Sequence, residues 1–81
     1  MPTLKGTVLR QGAPADNAYV QLQNLKGDFQ AEVRTDSDGK FTLHPIPGKW
    51  RLVSWVPGGG KKDEREVEVG SVEVGVEITL A

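Results

Sequence analysis

The sequence predicts an all-β fold, a single seven-stranded antiparallel β-sandwich of Greek-key, transthyretin-like or Ig-like type. Three observations lead there. Turn-forming residues cluster at six points, 11–15, 24–28, 36–39, 45–48, 57–62 and 70–71, mostly 10–13 residues apart, which is the rhythm of a sandwich or barrel. The seven runs between them alternate apolar and polar side chains with the period of a half-buried strand. No stretch carries an i, i+3, i+4 apolar stripe free of glycine and β-branched residues, so no helix is expected.

Each element follows from its alternation. The first run sets Leu4, Gly6 and Val8 on one face and Lys5 and Thr7 on the other. In the second, Ala18, Val20 and Leu22 oppose Tyr19, Gln21 and Gln23; in the third, Phe29, Ala31 and Val33 oppose Gln30, Glu32 and Arg34. Phe41 and Leu43 mark a short fourth run. Trp50, Leu52 and Val56 fit the core face of the fifth, leaving Arg51, Val53 and Trp55 outward. The last two runs turn Val67 and Val69, then Val72, Val74, Val76, Ile78 and Leu80, to the core. Gly70-Ser71 between them has the composition of a two-residue type II′ hairpin loop. Asp36-Ser37-Asp38-Gly39 reads as a turn capped by aspartate side chains, with Gly39 at positive φ. Pro47-Gly48 fits a type II turn, and Pro14 and Pro45 sit at strand margins, where a missing N–H does no harm.

At 81 residues with ten valines and five aromatic residues, the chain suits one domain, 1–81, with a thin core. It buries roughly 60–65% of the surface its unfolded form exposes. The absence of cysteine excludes disulfides and thiolate zinc sites and, with no apolar run of signal-peptide or membrane length, leads us to expect a cytoplasmic protein without membrane contact. The formal net charge of −1 argues against a nucleic-acid scaffold. That charge is unevenly placed: nine basic and five acidic side chains precede residue 63, and one basic and six acidic follow from there.

Five motifs, in order, resemble the carboxypeptidase regulatory-like, or transthyretin-like, β-sandwich family. They are Leu4-Lys5-Gly6-Thr7-Val8, the turn Gly12-Ala13-Pro14, and the strand Ala18-Tyr19-Val20-Gln21-Leu22. Next come Thr35-Asp36-Ser37-Asp38-Gly39-Lys40-Phe41-Thr42-Leu43 and Pro47-Gly48-Lys49-Trp50-Arg51-Leu52. The segment 57–62 departs from the family's usual turn. Asp28-Phe29-Gln30-Ala31-Glu32-Val33 and Gly48-Lys49-Trp50-Arg51-Leu52 are similar to a small actinobacterial family of unknown function within this fold. Its members are often encoded beside a thiosulfate sulfurtransferase, which implies a loose tie to sulfur metabolism. The wider resemblance implies a non-catalytic appendage domain, though fold alone says little about activity.

No catalytic constellation stands out. His44 is the one histidine, at a strand end, and a Ser/His/acid triad or a histidine metal site needs partners that the sequence does not cluster. Asp36-Ser37-Asp38-Gly39 has carboxylates at alternate positions, as a calcium loop does, but lacks the remaining ligands. Gly58-Gly59-Gly60-Lys61-Lys62 precedes a strand rather than a helix, so it lacks phosphate-loop context. We therefore expect no enzyme activity, no cofactor, no metal and no catalytic residues.

Two surfaces remain. Tyr19, Val53 and Trp55 fall on outer faces and, with Lys61 and Lys62, make a candidate interaction surface. The final hairpin carries Glu64, Glu66, Glu68, Glu73 and Glu77. With Gly70-Ser71 at its centre, Glu68 opposes Glu73 and Glu64 opposes Glu77, a like-charge arrangement that costs a few tenths to roughly 1 kcal/mol per pair. Lys5 or Arg10 on a neighbouring strand, or a basic partner, would offset it. The expectation is a small structural or protein-interaction module with a protein partner or a second copy of itself, acting through an outer face or an edge strand. The alternative is a carbohydrate- or small-ligand-binding module using Trp55 and Tyr19.

Overall fold

The computed structural model describes residues 3–80, which form eight strands and no helix. They are β1 (Leu4–Arg10), β2 (Ala13–Pro14), β3 (Tyr19–Gln23), β4 (Phe29–Arg34), β5 (Lys40–Leu43), β6 (Gly48–Trp55), β7 (Asp63–Val69) and β8 (Val74–Leu80). One sheet runs β4-β3-β6-β7, all antiparallel. The other is built on β1, which β8 flanks along its whole length, with β5 and β2 paired to its two halves on the other side.

The inward rows of the two sheets form the core. Leu4, Val8, Phe41, Leu43, Ile78 and Leu80 come from the first-strand sheet, and Val20, Leu22, Leu52 and Val69 from the other. Fully burying each such side chain stabilises the fold by about 1.5–3 kcal/mol relative to exposure. Gly6 is the thin point of the inner wall: the Phe41 ring and Val76 occupy the space where its Cβ would stand.

The all-β sandwich is the predicted class, but its strand count and connectivity differ. The eighth strand is β2, which folds back so that Arg10 pairs with Ala13 and Leu9 with Pro14. Gln11 and Gly12 between them have φ of 54° and 82°, the left-handed pair of a two-residue type I′ hairpin. The larger correction concerns the end of the chain. β7 and β8 are not a hairpin: β7 pairs with β6 in one sheet, and β8 crosses over to lie parallel to β1 in the other. Residues 70–73 are that crossover, and Val72 within them is 70% exposed rather than in the core. The division has a packing reason. A β7–β8 hairpin would put both valine rows in one sheet. Dividing the strands turns Val67 and Val69 toward the core from one sheet and Val76, Ile78 and Leu80 from the other.

Phe29 departs from prediction for a local reason. The β3–β4 register shifts after Leu22, so that Leu22 faces Ala31 but Gln23 faces Phe29. The extra residue turns Phe29 to the side of the outward Gln23, where it is 59% exposed.

Side-chain hydrogen bonds close the remaining connections. The Asp36 carboxylate accepts the backbone N–H groups of Asp38 (2.9 Å) and Lys40 (3.0 Å), and Gly39 has φ 75°, as the turn chemistry predicts. Thr35 is buried; its hydroxyl accepts the Ala18 N–H at 2.8 Å and donates to the Ala15 carbonyl. Arg65 ties the two sheets together where β7 and β8 run out to their edges. It pairs with Asp63 at 3.1 Å and donates to the Glu77 carbonyl of β8 at 2.9 Å.

Two outcomes follow. Thr35→Val leaves two buried backbone groups without their partner, and urea unfolding should show a loss of about 1–3 kcal/mol. Gly6→Ala forces Phe41 and Val76 aside and should cost about 1–3 kcal/mol by the same measurement; an unchanged midpoint would show that the β1–β5 contact has slack.

Candidate functional site

The outer face of the β4-β3-β6-β7 sheet is where the aromatic residues of the sequence reading meet. Tyr19 pairs with Trp55 across β3 and β6, and with Arg34 across β3 and β4. Period-two alternation puts all three on the solvent side. The Tyr19 and Trp55 rings stack with centroids 5.2 Å apart and planes 18° from parallel. The Arg34 guanidinium carbon lies 4.6 Å from the Tyr19 ring centroid, and the Lys62 ammonium lies 4.6 Å from that of Trp55. The result is a row, Arg34–Tyr19–Trp55–Lys62, running across the sheet at one end.

Polar contacts hold the row in place. Arg34 donates to the Tyr19 hydroxyl at 2.6 Å and to the Asn17 side-chain oxygen at 3.4 Å. Asn17 itself has φ 61°, a left-handed conformation that asparagine tolerates. The Ser54 hydroxyl, fully buried, donates to the Tyr19 carbonyl at 3.0 Å and anchors that strand from beneath. Tyr19 and Trp55 are both half-buried, so their edges rather than whole ring faces meet solvent.

The other predicted surface residues fall differently. Lys62 joins the row and also borders a shallow depression with Asp63, Thr79 and Leu80, where Lys61 lies; Lys61 is not part of the row. Val53 does face outward, between Gln21 and Glu64, but it is only 5% exposed and offers no contact area. It lies outside the inner core cluster; neighbouring outward side chains cover it.

The acidic residues do not share one hairpin face. Glu64, Glu66 and Glu68 lie on β7 opposite Val53, Arg51 and Lys49 of β6. Glu77 lies on β8 opposite Thr7, and Glu73 makes an exposed ion pair with Lys5 at 3.6 Å. The expected opposition of Glu68 to Glu73 and of Glu64 to Glu77 is therefore absent, because the strands belong to different sheets. Two basic residues of β6 and Lys5 of β1 provide the offset instead.

Arg34 is the member of the row that sequence reasoning missed. Alternation places it outward beside Glu32, but only the β3–β4 register brings it to Tyr19. His44 lines a separate groove of about 260 Å³ with Leu22, Leu43, Ile46 and Trp50, and is the one titratable residue there.

Fold and face together describe a small β-sandwich with a row of aromatic and cationic side chains on one outer face. The chain belongs to the family described as "Protein of unknown function (DUF1416)", whose model matches residues 2–80. No curated protein sequence matches it. Among solved structures it is similar to the dioxygenase domain of a dioxygenase–carbohydrate-binding protein fusion from the cellulolytic bacterium Streptomyces sp. SirexAA-E. The TM-score is 0.76 at 13% identity, over 98% of this chain and 78% of that one. It is also similar to a DUF3823 family protein from Parabacteroides merdae, with a TM-score of 0.70 at 20% identity over 95% of this chain. The chain spans 44% of that protein's length. At these identities the likeness is one of fold.

The stack should register energetically. A double-mutant cycle of Tyr19→Ala and Trp55→Ala, followed by chemical denaturation, should give a coupling of about 0.5–1.5 kcal/mol. Additive losses would mean that the two rings do not act as a pair.

Proposed function

We propose that this protein is a non-catalytic interaction module that binds a protein partner through the outer face of the β4-β3-β6-β7 sheet. The observation that carries this reading is the Arg34–Tyr19–Trp55–Lys62 row. Arginine, tyrosine and tryptophan are the side chains enriched in the energetic centres of protein interfaces. Here the stack and the hydrogen bonds to Arg34 pre-order three of them, which lowers the entropy that binding must overcome. Of the serines, Ser54 anchors the Tyr19 carbonyl and Ser37 sits in the capped turn. The resemblance to carboxypeptidase regulatory-like appendage domains agrees with a binding role. A cytoplasmic setting, with its reducing chemistry, fits a chain without cysteine.

The same row bears on the carbohydrate alternative, which the fusion partner named for the Streptomyces neighbour keeps in view. Sugar stacking needs a free ring face. Here each ring has the other ring on one side and a cation on the other, so a sugar would have to displace Lys62 or Arg34.

Affinity capture with the wild-type chain and with the Tyr19→Ala/Trp55→Ala variant, compared by quantitative mass spectrometry, separates the readings. A partner retained by the wild type and lost by the variant is the expected result; identical capture by both would remove the face from consideration. Sedimentation velocity on the same two proteins tests whether the partner is a second copy. A glycan titration followed by tryptophan fluorescence tests the alternative, which predicts a saturable change abolished by Trp55→Ala.

A further inference from the structure

The opposite outer surface, on the β1 sheet, carries a groove of about 490 Å³ that the interaction face does not use. Its polar residues are set by register rather than by proximity in sequence. Lys5 of β1 lies between Thr42 of β5 and Gly75 of β8; the next outward residue, Thr7, lies between Lys40 and Glu77. Lys5, Thr42, Lys40 and Thr7 therefore alternate as ammonium, hydroxyl, ammonium and hydroxyl around a four-residue square on two hydrogen-bonded strands. All four line the groove.

Gly75 gives the groove its floor, and nothing in the fold requires a glycine there. Its φ is not positive and the β1–β8 register runs through it without a bulge. A Cβ at this position would meet nothing within 4 Å, in contrast to Gly6, whose missing side chain makes room for Phe41. Glycine inside a strand is unfavourable and often marks a bulge, a tight bend, or a close approach of a ligand or another backbone; here the register shows no bulge. Among valine, isoleucine and threonine neighbours, a glycine that opens space beside an ammonium group points to a ligand.

The charges on the lining select its kind. Asp36 is the one carboxylate among the lining residues, and its Oδ1 atom already accepts two backbone N–H groups. Glu77 is paired beside Thr7 but does not line the groove. Glu73 holds Lys5 through an exposed pair at 3.6 Å, a weak contact for which an anion can compete. Two ammonium groups and two hydroxyl donors on a rigid sheet suit an oxyanion, with charge-assisted hydrogen bonds from lysine and neutral ones from threonine.

We propose that the groove over Gly75 is a binding site for a small phosphate-class oxyanion, held by Lys5, Thr7, Lys40 and Thr42. The anion enters where a side chain at residue 75 would otherwise stand. Free phosphate and the phosphate group of a small metabolite share this chemistry, and the test distinguishes them.

The ¹⁵N-labelled chain is titrated with inorganic phosphate, with glycerol 3-phosphate and with glucose, and amide shifts are followed by NMR. Saturable shifts at Lys5, Thr7, Lys40, Thr42 and Gly75 with one or both phosphates, and none with glucose, are expected. Tighter binding of glycerol 3-phosphate would identify a carried phosphate group; equal or weaker binding would identify the free anion. Gly75→Val fills the groove at an unobstructed, strand-favouring position and should abolish the shifts without lowering the melting temperature. Lys5→Gln with Lys40→Gln should weaken binding about tenfold or more, the size of one charge-assisted hydrogen bond. Phosphate shifts that survive Gly75→Val, equal shifts with glucose, or no saturable response from either phosphate would overturn the proposal.

Discussion

The parallel pairing of β8 with β1 is the constraint on which most of this structure depends. It runs from Leu4 with Val74 to Arg10 with Leu80 without interruption, and it separates β8 from β7, its neighbour in sequence. A sandwich this small needs apolar rows on both inner walls, and the chain's final strands hold a large share of its valines. Dividing them between the sheets lets each wall bury one set. Arg65 then spans the gap at the edge, with its guanidinium on Asp63 and on the Glu77 carbonyl. That contact covers part of an edge strand that would otherwise present a free hydrogen-bonding group.

The same pairing determines both surfaces. With β8 on β1, Glu73 comes to Lys5 and Gly75 comes to the middle of an outer face. With β7 on β6, the glutamates of β7 face Arg51 and Lys49, and Trp55 remains free to stack on Tyr19. The two outer faces consequently differ in chemistry. One presents stacked aromatic rings between cations. The other presents hydroxyl and ammonium groups around an open floor at Gly75. The core between them is shared, so either surface can be altered without disturbing the other, provided the inward rows are left intact.

How much of this was legible in the sequence varies by feature. The existence of seven of the eight strands, the capped turn at 36–39 and the outward placement of Tyr19 and Trp55 all follow from alternation and turn chemistry, whereas the two-residue β2 lies within a predicted turn. Arg34 was legible as an outward residue but not as a partner of Tyr19, because that depends on the register of β4. Val53 was legible as outward but not as buried, because burial on an outer face depends on the size of neighbours contributed by other strands. Phe29 was assigned to the wrong side because a bulge at its strand's start leaves no mark in the alternation itself.

The sequence alone determined what is local: which residues extend, where the chain turns, and which side chains share a face of one strand. Only the tertiary structure decided which strands adjoin. The valine alternation of residues 74–80 is the same whether that strand pairs antiparallel with β7 or parallel with β1, since side-chain period is a property of one strand and pairing is a property of two. Burial of apolar area across the whole sandwich selected the second arrangement. That choice moved the acidic residues apart and placed Gly75 beside Lys5.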